Sequence, residues 1–213
     1  MININEAKKH GIIGYLYDGD INNLYDDMLS NGIKFKMKNI ELIKPNKELY
    51  IQYKDMMDEW IKDGSRIAPW PLHIEYSTKE QFYEMIRQIE DVEKGINHGD
   101  YASSTTYWLY DKDNNRIIGA SNLRHYLDEM SKKYWGHIGY GIRPSERGKG
   151  YGTRILKLTL EEAKKINLSK VWLGAYESNV GSWKLMEKCG ATFDKIVYEE
   201  ETNLPIKKYW IDI

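Results

Sequence analysis

The residues best equipped for chemistry in this 213-residue chain form one run, Arg147-Gly148-Lys149-Gly150-Tyr151-Gly152. Glycine at alternate positions lets successive backbone N–H groups turn into one small space. Arg147 and Lys149 add positive charge beside them. A helical pattern follows at once, with Ile155, Leu156, Leu158, Leu160 and Ala163 at mixed three- and four-residue spacing. The first N–H groups of such a helix lack partners within it, and its dipole favours an anion. The chemistry expected of the run is to hold a phosphate. The competing expectation is a tight strand-to-helix turn without a ligand, because glycine turns are common. Two familiar phosphate motifs are excluded. A nucleotide P-loop has glycine five positions before its Gly-Lys pair and Ser or Thr just after it, whereas Arg143 and Gly150 occupy those positions. A dinucleotide loop reads G-x-G-x-x-G, and Gly152 comes one residue too early for that spacing.

Other reactive groups are scattered. The five histidines (His10, His73, His98, His125, His137) form no H-E-x-x-H pattern and meet no cysteine cluster, so no metal is expected. There is no G-x-S-x-G elbow. The single cysteine, Cys189, rules out an internal disulfide framework, fits a reducing compartment, and reads as a helix-end residue rather than a nucleophile.

The elements that must position the glycine run can be read in order. Asn39–Lys44 alternates like a first strand. Lys47–Lys62 and a segment from Thr78 to about Gly95 read as helices, separated by an irregular loop carrying Pro69-Trp70-Pro71. Thr105–Asp111 and Arg116–Tyr126 read as a hairpin across a polar turn. Tyr134–Ile142 reads as the next strand, in which Gly139 and Gly141 suggest a bulge or a close backbone approach. Beyond the Gly150–Ile166 helix come strand Lys170–Tyr176, helix Asn179–Cys189 with Gly190 as its C-cap, and a hairpin of Thr192–Glu200 with Ile206–Ile213. The plan is α/β with a mixed, mostly antiparallel central sheet flanked by helices. Met1–Lys38 is a separate short helical extension, in which Ile21, Leu24, Tyr25, Met28 and Leu29 share one face. It is expected to fold onto the domain at 39–213, with a lid or a homodimer contact as the alternatives.

Composition narrows the function. The formal net charge is −1, so nothing points to nucleic acid or an anionic membrane. No apolar run is long enough to span a bilayer and the first residues lack a signal-peptide core, so a cytoplasmic protein is expected. Seventeen Tyr and seven Trp make the chain rich in amphipathic aromatics.

Arg147-x-x-Gly150-x-Gly152, between a strand and a helix, resembles the acyl-CoA pyrophosphate loop of the GNAT N-acetyltransferases. A second block, Glu177-Ser178-Asn179 with Ser182, Leu185 and Glu187-Lys188-Cys189-Gly190-Ala191, is similar to that family's later helix. The resemblance covers roughly Ile40–Ile213 and implies a GNAT acetyltransferase domain with acetyl-CoA as co-substrate. It implies that Tyr140, Gly141 and Ile142 pair with the pantetheine arm, that Arg147, Gly148, Lys149, Gly150, Tyr151, Gly152 and Thr153 hold the diphosphate, and that Asn179 and Ser182 approach the thioester end. It also places Trp60, Trp70, His73 and Glu75 near the acceptor, with Trp70 and Glu75 as substrate-binding residues. The implied reaction is direct attack of a primary amine, from a small molecule or peptide, on the thioester in a ternary complex. A non-catalytic acyl-CoA-binding module is the alternative. The chain departs from the family where an acid and a base are wanted: Met186 and Leu185 stand where relatives carry a Tyr, and Gly136 falls where they carry a glutamate. The remaining candidates are His137, His125, Arg124, Tyr176, Glu177 and Glu75, with His137 or His125 expected as base and Tyr176 as acid. Asp58, Glu59, Asp63 and Glu75 mildly favour a cationic acceptor.

Overall fold

The computed structural model describes residues 39–96 and 99–213. The expectations for Met1–Lys38, including its amphipathic helix, and for His10 and His98, lie outside the described residues. Among the described residues, seven strands and four helices follow in the order β1 (Ile40–Ile43), α1 (Tyr50–Asp63), α2 (Lys79–Glu93), β2 (Ser104–Asp111), β3 (Arg116–Arg124), β4 (Ile138–Ile142), α3 (Tyr151–Lys165), β5 (Lys170–Tyr176), α4 (Val180–Lys188), β6 (Thr192–Tyr198) and β7 (Pro205–Asp212). The element order expected from the sequence is the observed one.

Every strand pair is antiparallel. The strands form two sheets, β1-β2-β3-β4 and β5-β7-β6, where one central sheet was expected. A single bridge, Gly136 to Leu173, joins them. The joint between the sheets is built locally. Residues 131–135 do not extend β4 backwards, as their aromatic content suggests, but wind into a π-helical turn ended by Gly136 at φ 70°. Tyr134 is buried in that turn. A Cβ on Gly136 would lie 2.0 Å from the Trp172 carbonyl oxygen, and one on Gly174 2.0 Å from that of Tyr134, so both crossing points need glycine.

Helices cover both faces. Tyr53, Met56, Met57 and Trp60 of α1 and Phe82, Met85 and Ile86 of α2 pack on Trp108, Ile117 and Ala120. On the opposite face Leu156, Leu160 and Ala163 of α3 and Met186 of α4 pack on Tyr107, Leu123, Val171 and Leu173. Period-two alternation sends Tyr107 and Leu109 one way and Trp108 the other. A bulge opposite Leu109/Tyr110 shifts that phase in β3, which is how Ile117 and Ala120 reach the same face. The helix ends are well made. Thr78 and Gln81 form a capping box on α2, and Gly64 closes α1 in the left-handed conformation.

Candidate active site

The gap between β4 and β5 organises the site. At its closed end His137 donates its main-chain N–H to the Trp172 carbonyl (2.6 Å), and its Nδ1 accepts the Trp172 N–H (2.9 Å). Beyond this clamp the two strands part, and each has a strand partner only on its outer side. Arg143 donates to the Ile118 carbonyl (2.9 Å) and Arg124 to that of His137 (2.8 Å), so the odd-numbered residues of β4 direct their main-chain groups to β3. Strand alternation turns those of Tyr140 and Ile142 into the gap. Gly141, expected to pair with a ligand, instead faces Ala120 of β3. It lacks a Cβ for another reason: one there would lie 2.3 Å from the Ala68 carbonyl oxygen and 2.7 Å from the Trp60 ring. The loop after α1 therefore lies directly on β4.

Past Ile142 the chain enters the glycine run. Gly148 (φ 73°) and Gly150 (φ 83°) are left-handed, a conformation costly for residues with a Cβ. Gly150 is the N-cap of α3 and supplies no capping side chain. The first-turn N–H groups of Gly152 and Thr153 have no acceptor within the helix. Around Gly148 a Cβ would meet nothing within 4 Å. Gly152 serves packing as well, since a Cβ there would lie 2.4 Å from Leu185 Cδ1 of α4. This is a helix start open to an anion, and a diphosphate fits its donor set.

The loop between β4 and α3 is held from α1 by a ladder of acids at Asp55, Glu59 and Asp63, four residues apart and so on one face. The fully buried Arg143 bonds Glu59 through Nε (2.7 Å) and Nη2, and bonds Asp55 (2.8 Å). Arg116 bonds Glu59 (3.0 Å) and Glu146 (2.9 Å), and Lys149 also reaches Glu146 (3.2 Å). Ser145 donates its N–H to Glu59 (2.7 Å). Burial alone would raise the Glu59 carboxyl, but the hydrogen bonds from Arg143 and Ser145 outweigh it and bring it down to about 2. Arg147 bonds the Ile142 carbonyl (3.0 Å), Asp63 (3.3 Å) and Ser65 (2.8 Å), and its own N–H goes to Pro144. Its guanidinium, expected on the phosphate, is engaged in bracing the loop. Asp58 pairs with Lys54 (2.5 Å), and Glu75 accepts the Ser77 N–H (3.2 Å) and hydroxyl (2.5 Å). All four acids expected to favour a cationic acceptor are thus satisfied by the chain itself.

The proton-transfer candidates are placed unequally. His137 has its Nδ1 lone pair occupied by Trp172, which leaves the proton on Nε2. Burial, then the charge of Arg124, lowers it to about 4. It is a neutral structural clamp, not a ring with a free lone pair. His125 lies past the end of β3 remote from Ile142, its two ring nitrogens bonded to Ser103 (3.1 Å) and Thr105 (2.8 Å); burial lowers it also. Tyr176, at the opening end of β5, donates to Glu199 (2.8 Å). Bonds from Thr202 and Tyr176 hold the Glu199 carboxyl low, against slight burial. Arg66 lies over the rings of Tyr176 (4.6 Å) and Trp135 (5.6 Å), which themselves meet edge to face (5.2 Å). Arg66, Trp135 and Glu199 were not singled out from the sequence, because they come from three separate connections. The one available signal was that Arg66 and Glu199 flank the predicted loop and hairpin. Trp70 is 69% exposed beside Pro69.

On the other side of the gap, the Asn179 side chain caps α4 by accepting the Ser182 N–H (3.2 Å). Ser182 Oγ and the Tyr140 hydroxyl are 3.0 Å apart, joining β4 to α4. Burial raises Tyr140, which stays protonated. Gly190 closes α4 in the left-handed conformation (φ 90°), its N–H bonded to the Glu187 carbonyl; Cys189 before it is raised by burial and is a neutral thiol. No group of acidic, His or Cys residues that could hold a metal occurs among the described residues.

Residues 57–191 match the acetyltransferase (GNAT) family. No curated protein sequence is significantly similar to the chain. Among solved structures, the ribosomal-protein-S5-alanine acetyltransferase of Vibrio fischeri is similar with a TM-score of 0.64 at 16% identity, over 84% of this chain and 95% of that one. The microcin C7 self-immunity acetyltransferase, solved with acetyl-CoA and AMP, gives 0.61 at 17% identity, over 84% and 94%. A spermidine N-acetyltransferase of Vibrio cholerae gives 0.55 at 16%, over 81% and 94%. At these identities the likeness concerns the fold.

Proposed function

The chain belongs to the acetyltransferase (GNAT) family, and we propose that it moves an acetyl group from acetyl-CoA to a primary amine of a small molecule or peptide, by direct attack with both substrates bound. The observation that carries this reading is the open edge of β4 running straight into an uncapped helix start with left-handed Gly148 and Gly150. The acetyl donor, when bound, supplies an activated thioester. The main-chain groups of Tyr140 and the N–H of Ile142 take its arm as an added strand would be taken, the Ile142 carbonyl being held by Arg147. The N–H groups of Gly148, Gly150, Gly152 and Thr153 hold its diphosphate, and Lys149 adds charge. No helix of the described residues is long and apolar enough to cross a membrane, and the reaction is assigned to the cytoplasm on the ground of its donor.

An amine with an ordinary pKa near ~10.4 arrives protonated and must lose a proton before it attacks. Glu199, ionised and reached through the Tyr176 hydroxyl, is the acceptor for that proton. The hydroxyls of Ser182 and Tyr140 are the donors for the departing thiolate. An N–H on the free edge of β4 polarises the carbonyl. Much of the remaining rate comes from holding two ligands in line. The Arg147 brace links the acceptor-side loop at Ser65 to the cofactor-side carbonyl of Ile142, so both substrates meet on one rigid frame. Thiol release from acetyl-CoA with a panel of amines tests the reading. Turnover with intersecting initial-rate lines is expected; parallel lines contradict direct attack, and binding without turnover of any amine contradicts catalysis.

A further inference from the structure

Four connections converge on Arg66: the loop after α1 that carries it, the turn before β4 that supplies Trp135, the end of β5 with Tyr176, and the β6–β7 connection with Glu199. The guanidinium lies against the rings of Tyr176 and Trp135 and bonds the Tyr176 side chain. A guanidinium carries five N–H donors, so the others are left for a carboxylate. Among the described residues Arg66 is in no salt bridge, whereas Asp58, Glu59 and Asp63 of the neighbouring helix are each paired. Glu199 stands one hydroxyl away, bonded to Tyr176 at 2.8 Å. The cluster therefore presents one cation and one anion side by side.

We propose that Arg66 is a specificity-determining residue, and that the acceptor is a zwitterion: an amine carrying a carboxylate close by, as in an α-amino acid, with the carboxylate on Arg66 and the amine beside Tyr176 and Glu199. The inference rests on the acetyl-transfer reading. A polyamine has nothing to offer Arg66 and finds no unpaired acid on the α1 face. A dianionic phosphate matches the fork but is repelled by Glu199. A carboxylate with a neighbouring ammonium complements both charges.

The test compares acetylation of L-amino acids, the matching amines that lack the carboxylate, and spermidine, using wild type, Arg66→Gln and Arg66→Lys. Acetyl-CoA affinity is measured on each by calorimetry. Wild type is expected to prefer the carboxylate-bearing acceptor at least ~10-fold in kcat/KM. Arg66→Gln should remove that preference through KM while acetyl-CoA affinity is unchanged, and Arg66→Lys should restore part of it. Equal or better use of the decarboxylated amine or spermidine by wild type, or an equal loss for both acceptor types in Arg66→Gln, overturns the inference while the acetyl-transfer reading stands. Failure of wild type to bind acetyl-CoA removes both.

Discussion

His137 illustrates how a residue's surroundings decide its work. Its Nδ1 accepts the Trp172 N–H, and its main chain bonds the same residue. His137→Asn keeps an acceptor near that position, so turnover should fall far less than the roughly 100-fold that loss of a general base brings. A loss that large, measured with any working acceptor, would return His137 to the chemistry. Its ionisation gives a second readout. With the folded value near 4 and the ordinary value 6.5, only the unfolded chain binds the proton in between. The His137 contribution to stability is complete above about pH 6.5 and is lost as pH falls towards 4. Thermal melts should show a steeper fall over that window for wild type than for His137→Asn; identical slopes would contradict the assignment. At Gly152 the constraint is a neighbour. Gly152→Ala should destabilise by about 1–3 kcal/mol, and Leu185→Ala should suppress much of that cost, because the added Cβ meets Leu185. Additive effects in the double variant would exclude the contact. At this scale the glycine run was legible in the sequence because its φ angles are local. The roles of His137 and Arg147 were not, because their partners, Trp172, Asp63 and Ser65, are distant in the chain.

Among the elements, α1 has a role that its amphipathic pattern does not announce. Its apolar face builds the core through Tyr53, Met56, Met57 and Trp60. Its other face, Asp55, Glu59 and Asp63, grips three arginines and the Ser145 N–H, which sets the loop that precedes the anion site. Removing Glu59 leaves Arg143 buried beside a missing partner. Glu59→Ala should cost about 3–5 kcal/mol in denaturant unfolding. Glu59→Gln, which keeps acceptor geometry without charge, should fold and bind acetyl-CoA about tenfold more weakly. Unchanged affinity would show that the ladder stabilises the fold without setting the loop. Helix and strand order were legible from periodicity. The start of β4 was not. Tyr134 and Trp135 favour strands by type, but the burial of Tyr134 and the left-handed Gly136 wind them into a turn.

For the molecule as a whole, the decisive feature is a sheet that divides. β3 and β4 stay paired from Leu123/Ile138 to Gly119/Ile142, while Gly136 bridges Leu173 and His137 bonds Trp172 where β4 and β5 approach. The opening ends where α3 and α4 begin, so two helix starts face one cleft. Nothing in strand propensity signals such a division. The turn at 131–136 holds the two sheets together at its glycine crossings, and β4 and β5 are not paired beyond it. A calorimetric titration comparing acetyl-CoA with acetyl-pantetheine, which has the thioester arm but no diphosphate, tests the cleft most directly. Saturable one-site binding of acetyl-CoA, at least ~100-fold tighter than that of acetyl-pantetheine, is the predicted result; equal affinity for the two, or no binding of acetyl-CoA at millimolar concentration, would contradict it.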